Sequence, residues 1–305
     1  MYKENKFKYF TRGFGDRYDG WRVRKVDPIF SVVPFMLRTR TDSEIFFQEK
    51  ITIDHLEAFI REHKAEMPDL TLMHIIMSGM IRVISQRPHL NRFVMWNKIF
   101  ARNYLSFSIA VKRSMTDEGE ETLIKPYFLP SDTLQDVVRK VQLELENNKQ
   151  VGQENSSDAI SKVLGFLPDF LLRIFVSLII NLDKVGLMPK ALNHASPFHT
   201  SLFLTNIGSI GIESVYHHLY EIGTCGSFIA MGKKKRETSY DKDGKTKVEK
   251  SIQLKIVLDE RICDGFYYAA SIRMLQKVLA NPASLLLPPE KVIIDDGVGK
   301  KRIDL

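Results

Sequence analysis

The chain has 305 residues and, with 44 Lys and Arg against 37 Asp and Glu, a formal charge of +7. An apolar fraction of 44% excludes a disordered or collagen-like chain. The two cysteines, Cys225 and Cys263, are too few for a disulfide framework and fit a reducing compartment; no Cys/His cluster offers the four ligands of a structural zinc, so no metal is expected.

Residues 1–27 are polar and punctuated by glycine, and read as an N-terminal arm; residues 28–290 read as a single domain and 291–305 as a C-terminal tail. Residues 44–53 are β-branched and aromatic, which predicts a strand. Asp54 can cap a helix carrying Leu56, Phe59 and Ile60, and Pro68 and Asp69 open a second, whose stripe runs through Leu72, Ile75, Ile76, Met80 and Val83. Residues 92–113 read as two strands, 93–96 and 105–112, joined by a basic turn, followed by a charged loop at 115–121 and a strand at 123–127. Leu134, Val137, Val138, Val141 and Leu145 share one face of a helix over 133–147. A polar linker covers residues 150–157.

Residues 164–182 approach the length of a membrane span. Asp169 and Arg173 inside it are costly in lipid, so a buried helix, or one at a subunit or membrane surface, is favoured over a span. Strands are expected at 201–205, 227–231 and 251–258, the last two joined through Asp243-Gly244, and a helix over 265–280 ends at Pro282. No dinucleotide or P-loop fingerprint occurs, and the elements do not alternate as in a doubly wound sheet. The basic clusters at 3–24, 233–236 and 300–302 serve solubility or attract an anionic ligand such as a phosphate-bearing cofactor. With no recognition helix or aromatic platform, nucleic acid is not an expected partner.

Three segments in order carry a family resemblance. Residues 256–282 read IVLDERICDGFYYAASIRMLQKVLANP, with Cys263-Asp264-Gly265-Phe266 at their centre. Leu204-Thr205-Asn206-Ile207-Gly208 with Gly211 forms the second, and Met231-Gly232 before a hairpin the third; the helix over 72–83 with Pro88-His89-Leu90-Asn91 adds to them. Together they resemble the catalytic domain of dihydrolipoyl acyltransferases and chloramphenicol acetyltransferase over roughly residues 50–285. The resemblance implies an α/β (α+β) two-layer sandwich, a mixed β-sheet flanked by helices. It also implies a bacterial cytoplasmic protein, a homotrimer with sites between subunits, and a coenzyme A thioester as substrate. The 27 residues before the domain are too short for a lipoyl-bearing domain, which points to a stand-alone domain.

The resemblance places Glu260 where the family has its catalytic His. A glutamate carboxyl ordinarily titrates near ~4.3, so it is a weak base at neutral pH unless burial or a like charge raises it. Glu260 is therefore a retuned general base, a relic in a non-catalytic binding or assembly protein, a participant in another reaction such as thioester hydrolysis, or a solvated acid. The family role implied for Asp264 is a structural anchor paired with an arginine, Arg22 or Arg24 beside Trp21, with Arg38 and Arg40 as further candidates. Gly265 is assigned the turn into the helix. Thr205 matches the hydroxyl that donates to the oxyanion, supported by Asn206 and Gly208. His199 lies about 20 Å along the strand from Thr205 and is too far to share a proton; His217 and His218 lie nearer in sequence to Gly211. Cys263 is assigned to packing. The function expected is coenzyme-A-dependent acyl transfer to a thiol, hydroxyl or amine, with an inactive trimeric scaffold as the alternative.

Overall fold

A computed structural model describes residues 6–112, 121–149, 165–240 and 243–303. The linker expected at 150–157, all but the last residue of the loop expected at 115–121, and Leu164 lie outside them. In chain order the elements are β1 (Gly20–Arg22), α1 (Pro28–Met36), β2 (Glu44–Thr52), α2 (Asp54–Glu62), α3 (Leu72–Gln86), β3 (Arg92–Met95), β4 (Lys98–Arg102), β5 (Leu105–Lys112), β6 (Glu121–Ile124) and β7 (Tyr127–Phe128). They continue with α4 (Leu134–Lys149), α5 (Asp169–Lys184), α6 (Lys190–Ala195), β8 (Leu202–Asn206), β9 (Ser227–Met231), β10 (Lys235–Tyr240), β11 (Thr246–Asp259) and α7 (Gly265–Ala280).

The main sheet is mixed. β5, β8 and β9 run parallel side by side, and β11 lies antiparallel to β9. β2 covers the other edge of β11. Ser251 pairs with Thr52 on one side and Lys235 on the other, so β10 continues the edge that β9 occupies. Alternation along the strands divides the core. Leu202, Leu204, Ile229, Met231, Leu254, Ile256 and Leu258 join Ile75, Ile76, Tyr268, Leu275 and Leu279 in the main cluster under the helices. Phe203, Phe228 and Val257 point the other way, into a smaller cluster with Leu219 and Cys225. This is the expected mixed sheet with a helical layer on one face.

Two expectations change in detail. Residues 92–112 hold three strands, because β4 occupies the stretch that Lys98 and Arg102 mark as a basic turn. The turn is only Trp96 and Asn97, both at positive φ (46° and 57°), the backbone that a two-residue hairpin requires. α3 opens at Thr71 rather than at Pro68, because the Thr71 and His74 side chains cap it reciprocally. The first residues are tied into the fold: β1 pairs with β4, and Trp21 and Val23 are buried. The tail returns to them, where Ile303 N–H donates to the Tyr9 carbonyl.

At the foot of α5 lies a buried polar knot. Arg17 bridges Asp19 and Asp183, and His199 contacts Asp183 through Nε2 at 3.0 Å and Ser196 Oγ through Nδ1 at 2.8 Å. Burial alone would raise the Asp183 carboxyl, but His199 and Arg17 hold it at about 2. Asp183 is thus an acceptor, so His199 donates from Nε2 and accepts the Ser196 hydroxyl at Nδ1. Lys125 donates to the carbonyls of Asn193 and Ser196. Burial, helped by the Arg102 charge, pushes its ammonium down to about 7 from 10.5. Between these two values the unfolded chain holds a proton that the folded chain has released, so stability rises with pH across that interval. The urea midpoint of the wild type should therefore gain on that of Lys125→Met as the pH rises from 7 towards 10, which isolates this group from the buried thiols that act in the opposite sense. A slope untouched by the substitution would contradict the assignment.

Candidate functional site

The segment with Thr205 and the turn with Glu260 occupy different parts of the sheet. β8 ends at Asn206 and passes into a short 3-10 turn over Ile207–Ile210. Gly208 lies there against the backbone that follows β9: a Cβ at 208 would meet the Gly232 carbonyl oxygen at 2.4 Å, and a Cβ at 232 would meet the Ser214 nitrogen at 2.5 Å. Three backbone segments therefore stack with no room for a side chain at either position. Asn206 and Gly208 line a cleft of about 590 Å³, together with Thr71, Met231, Gly232, Lys233 and Lys234. The N-terminus of α3 opens on this cleft through Thr71, Leu72 and Met73. Lys234 is paired with Glu57.

Thr205 does not line the cleft. It is half-buried, and alternation along β8 turns it to the opposite face, with Phe203. On that face the loop after Gly211 returns. His217 stacks on Phe228 at 4.6 Å, and Phe228 lies two residues before Ala230, the register partner of Thr205. Tyr216 lies under the Lys255 ammonium at 4.6 Å. Burial, with His218 adding to it, lowers the His217 pKa, which favours the neutral ring. Its Nε2 is shielded from solvent with no hydrogen-bond partner among the described residues. His217 enters the sequence argument only by proximity to Gly211; its position over the Thr205 face depends on a loop whose path no local pattern encodes.

Glu260 is exposed in the turn after β11, where its N–H donates to the Ser43 carbonyl at 2.8 Å. Thr205 pairs through Ala230 with Lys255, four residues before the end of β11. Four residues at about 3.3 Å and two strand spacings of about 4.8 Å leave Thr205 and Glu260 well over ~10 Å apart in one chain.

The anchoring acid of the turn is Asp259, which corrects the role expected for Asp264. Asp259 is fully buried and takes a bidentate bond from Arg261, at 2.8 Å from Nε and 2.7 Å from Nη2. Arg40 is buried close by and donates to the carbonyls of Val94, Tyr220, Glu221 and Gly223. Desolvation lowers the Arg40 pKa, and the Asp259 charge opposes it in part. The Tyr268 hydroxyl closes the turn on the Asp259 carbonyl at 2.6 Å. Asp264 instead is exposed at the N-cap of α7, accepting from Tyr267 N–H, a role that needs no arginine. Arg22 and Arg24 do not reach it: both are exposed, and Arg24 pairs with Asp16 at 3.1 Å. Gly265 is the first residue of α7 with open space where a Cβ would stand, so nothing there demands glycine. Cys263 is buried, and burial pushes its thiol up to about 12, as packing requires.

Asp259→Ala should cost about 3–5 kcal/mol in urea unfolding, because two buried guanidinium groups lose their counter-charge. Asp264→Ala should cost only about 1 kcal/mol, the loss of a cap. The reverse order would contradict this reading of the turn.

Residues 192–287, about a third of the chain, match the family model of the 2-oxoacid dehydrogenases acyltransferase (catalytic domain). This segment includes both Thr205-Asn206-Ile207-Gly208 and the turn with Glu260. Among curated proteins none matches the chain. Among solved structures, a probable dihydrolipoamide acetyltransferase from Listeria monocytogenes aligns at a TM-score of 0.55 and 11% identity, covering 88% of this chain and 97% of that one. A truncated catalytic core of the 2-oxoacid dehydrogenase multienzyme complex from Thermoplasma acidophilum aligns at 0.51 and 15% identity, covering 85% and 97%. The dihydrolipoamide acetyltransferase of Azotobacter vinelandii aligns at 0.51 and 14%, covering 85% and 89%. At such identities the structural likeness is one of fold. The chain thus has the fold of these acyltransferase catalytic domains, and its segment 192–287 carries the sequence signature of their family.

Proposed function

We propose that this protein transfers an acyl group from a coenzyme A thioester to a thiol, hydroxyl or amine, in a homotrimer whose sites are shared between neighbouring copies. The observation that carries the reading is the Thr205–Gly208 segment within the family match: Asn206 and Gly208 line a cleft suited to an anionic donor, and Thr205 stands on the other face of the same strand end. The N-terminus of α3 and Lys233 give that cleft a positive lining, which suits the phosphates of the thioester.

As the acceptor's sulfur, oxygen or nitrogen attacks the thioester carbonyl, its proton passes to the base. The Thr205 hydroxyl donates to the oxyanion of the tetrahedral intermediate. Collapse expels the coenzyme A thiolate, which recovers the proton. One chain holds Thr205 and Glu260 too far apart to share this step. A neighbouring copy therefore supplies Glu260, which its exposure in the turn allows. A second reading gives the base role to His217, whose ring stacks on the side of the sheet that carries Thr205 and whose sequestered Nε2 has no partner among the described residues.

Thiol release from acetyl-coenzyme A, followed with a panel of amine, hydroxyl and dithiol acceptors, tests both. Thr205→Ala should slow it about a hundredfold, and Glu260→Gln at least as much. Full activity in Glu260→Gln with loss in His217→Gln moves the base to His217. No release by a folded, assembled wild type would overturn the proposal in favour of a non-catalytic scaffold.

Lys233→Ala should raise KM for the thioester about tenfold and leave kcat nearly unchanged, since it touches only the donor's charge. A fall in kcat with KM constant would remove Lys233 from the donor site.

A further inference from the structure

α5 is an apolar helix that the described residues cover on one side only, where Leu172, Val176, Ile179, Ile180 and Leu182 are half-buried. Of its sixteen residues only Asp183, in the knot at its foot, is buried. Phe170, Ile174 and Leu178 are 63%, 62% and 53% exposed, and Leu171 and Phe175 widen the same face. Its polar positions Asp169, Arg173, Ser177 and Asn181 recur every fourth residue and form one narrow stripe. Phe166 before it, and Val185 and Leu187 after it, extend the exposed apolar surface. A helix this short does not hold itself together in water, and one so apolar is stable only when covered. Among the described residues, no helix is long and apolar enough to cross a membrane.

The foot of the helix carries exposed charge of one sign. Lys184 closes α5, and Lys190 follows six residues later. Lys190 and Arg12 both lie close enough to Lys6 to disfavour its charge. Among the described residues no carboxylate pairs with Lys184, Lys190 or Arg12. The acids nearest the foot, Asp19 and Asp183, are buried and committed to Arg17 and His199. An apolar prong standing in a basic collar is complementary to one surface, an apolar layer faced with negative charge.

We infer that α5 docks this protein on an anionic lipid surface, with Phe170, Ile174 and Leu178 entering the acyl boundary and Lys184, Lys190 and Arg12 meeting the headgroups. Clamping by Arg17 holds the prong to the domain, so docking orients the whole molecule.

Co-sedimentation of the full-length protein with phosphatidylcholine vesicles, with and without phosphatidylglycerol, tests this. The wild type should pellet with the anionic vesicles and be released by salt. Phe170→Ser/Ile174→Ser/Leu178→Ser should lower partitioning on the order of tenfold or more. Lys184→Ala/Lys190→Ala should abolish the preference for anionic lipid while leaving the fold, read by circular dichroism, unchanged. Absence of wild-type binding to either vesicle would overturn the inference. So would a triple variant that still binds vesicles but changes oligomeric state, because the face would then be covered by another copy.

Discussion

Asp259 sits fully buried at the last position of the longest strand, and its charge is met by Arg261 two residues later and by Arg40 from the segment before β2. The turn that follows takes its shape from this cluster. It fixes where β11 stops, sends Glu260 outward, and lets α7 start at Gly265, after its cap Asp264, and fold back over the sheet. It also ties β2, β11 and the loop at Tyr220 to Gly223 into one unit, because Arg40 spends its donors on that loop's carbonyls. The loop in turn carries Tyr216 and His217 over the face with Thr205. Both halves of the candidate site thus depend on how one buried carboxylate is neutralised.

Elements built from local periodicity are legible in the sequence. The stripe of Leu72 to Val83, the face of Leu134 to Leu145 and the strand at 227–231 each follow from side-chain spacing alone. β4 is not legible, because Lys98 and Arg102 look like a turn until Trp96 and Asn97 are seen to make the reversal by themselves. The role of Asp264 escapes the sequence for a related reason. Two acids, Asp259 and Asp264, flank the same turn, and only the tertiary surroundings decide which is buried with a guanidinium and which caps a helix. Asn206 and Gly208 can be singled out by motif, but the reason for Gly208, a carbonyl from a chain segment two dozen residues away, exists only in the fold.

The apolar segment is a different kind of case. Its composition marks it as exceptional, yet periodicity does not separate a core helix from a surface one. Burial decides it: the helix is anchored through Asp183, half-covered along Leu172, Val176 and Ile179, and exposed along Phe170, Ile174 and Leu178. The site and the helix make separate demands on the molecule. The proposed chemistry needs residues from opposite ends of one sheet to meet, and the helix needs a covering that the described chain does not supply. Fold alone fixes neither answer.

The shared site is tested most directly by complementation. Thr205→Ala and Glu260→Gln chains, each expected to be slowed about a hundredfold or more alone, would be unfolded, mixed in equal amounts and refolded, and thiol release from acetyl-coenzyme A followed. If neighbouring copies supply the two residues, mixed assemblies contain some sites with both intact, and activity returns. No recovery from the mixture, with wild-type chains regaining activity under the same refolding, would contradict a site shared between copies.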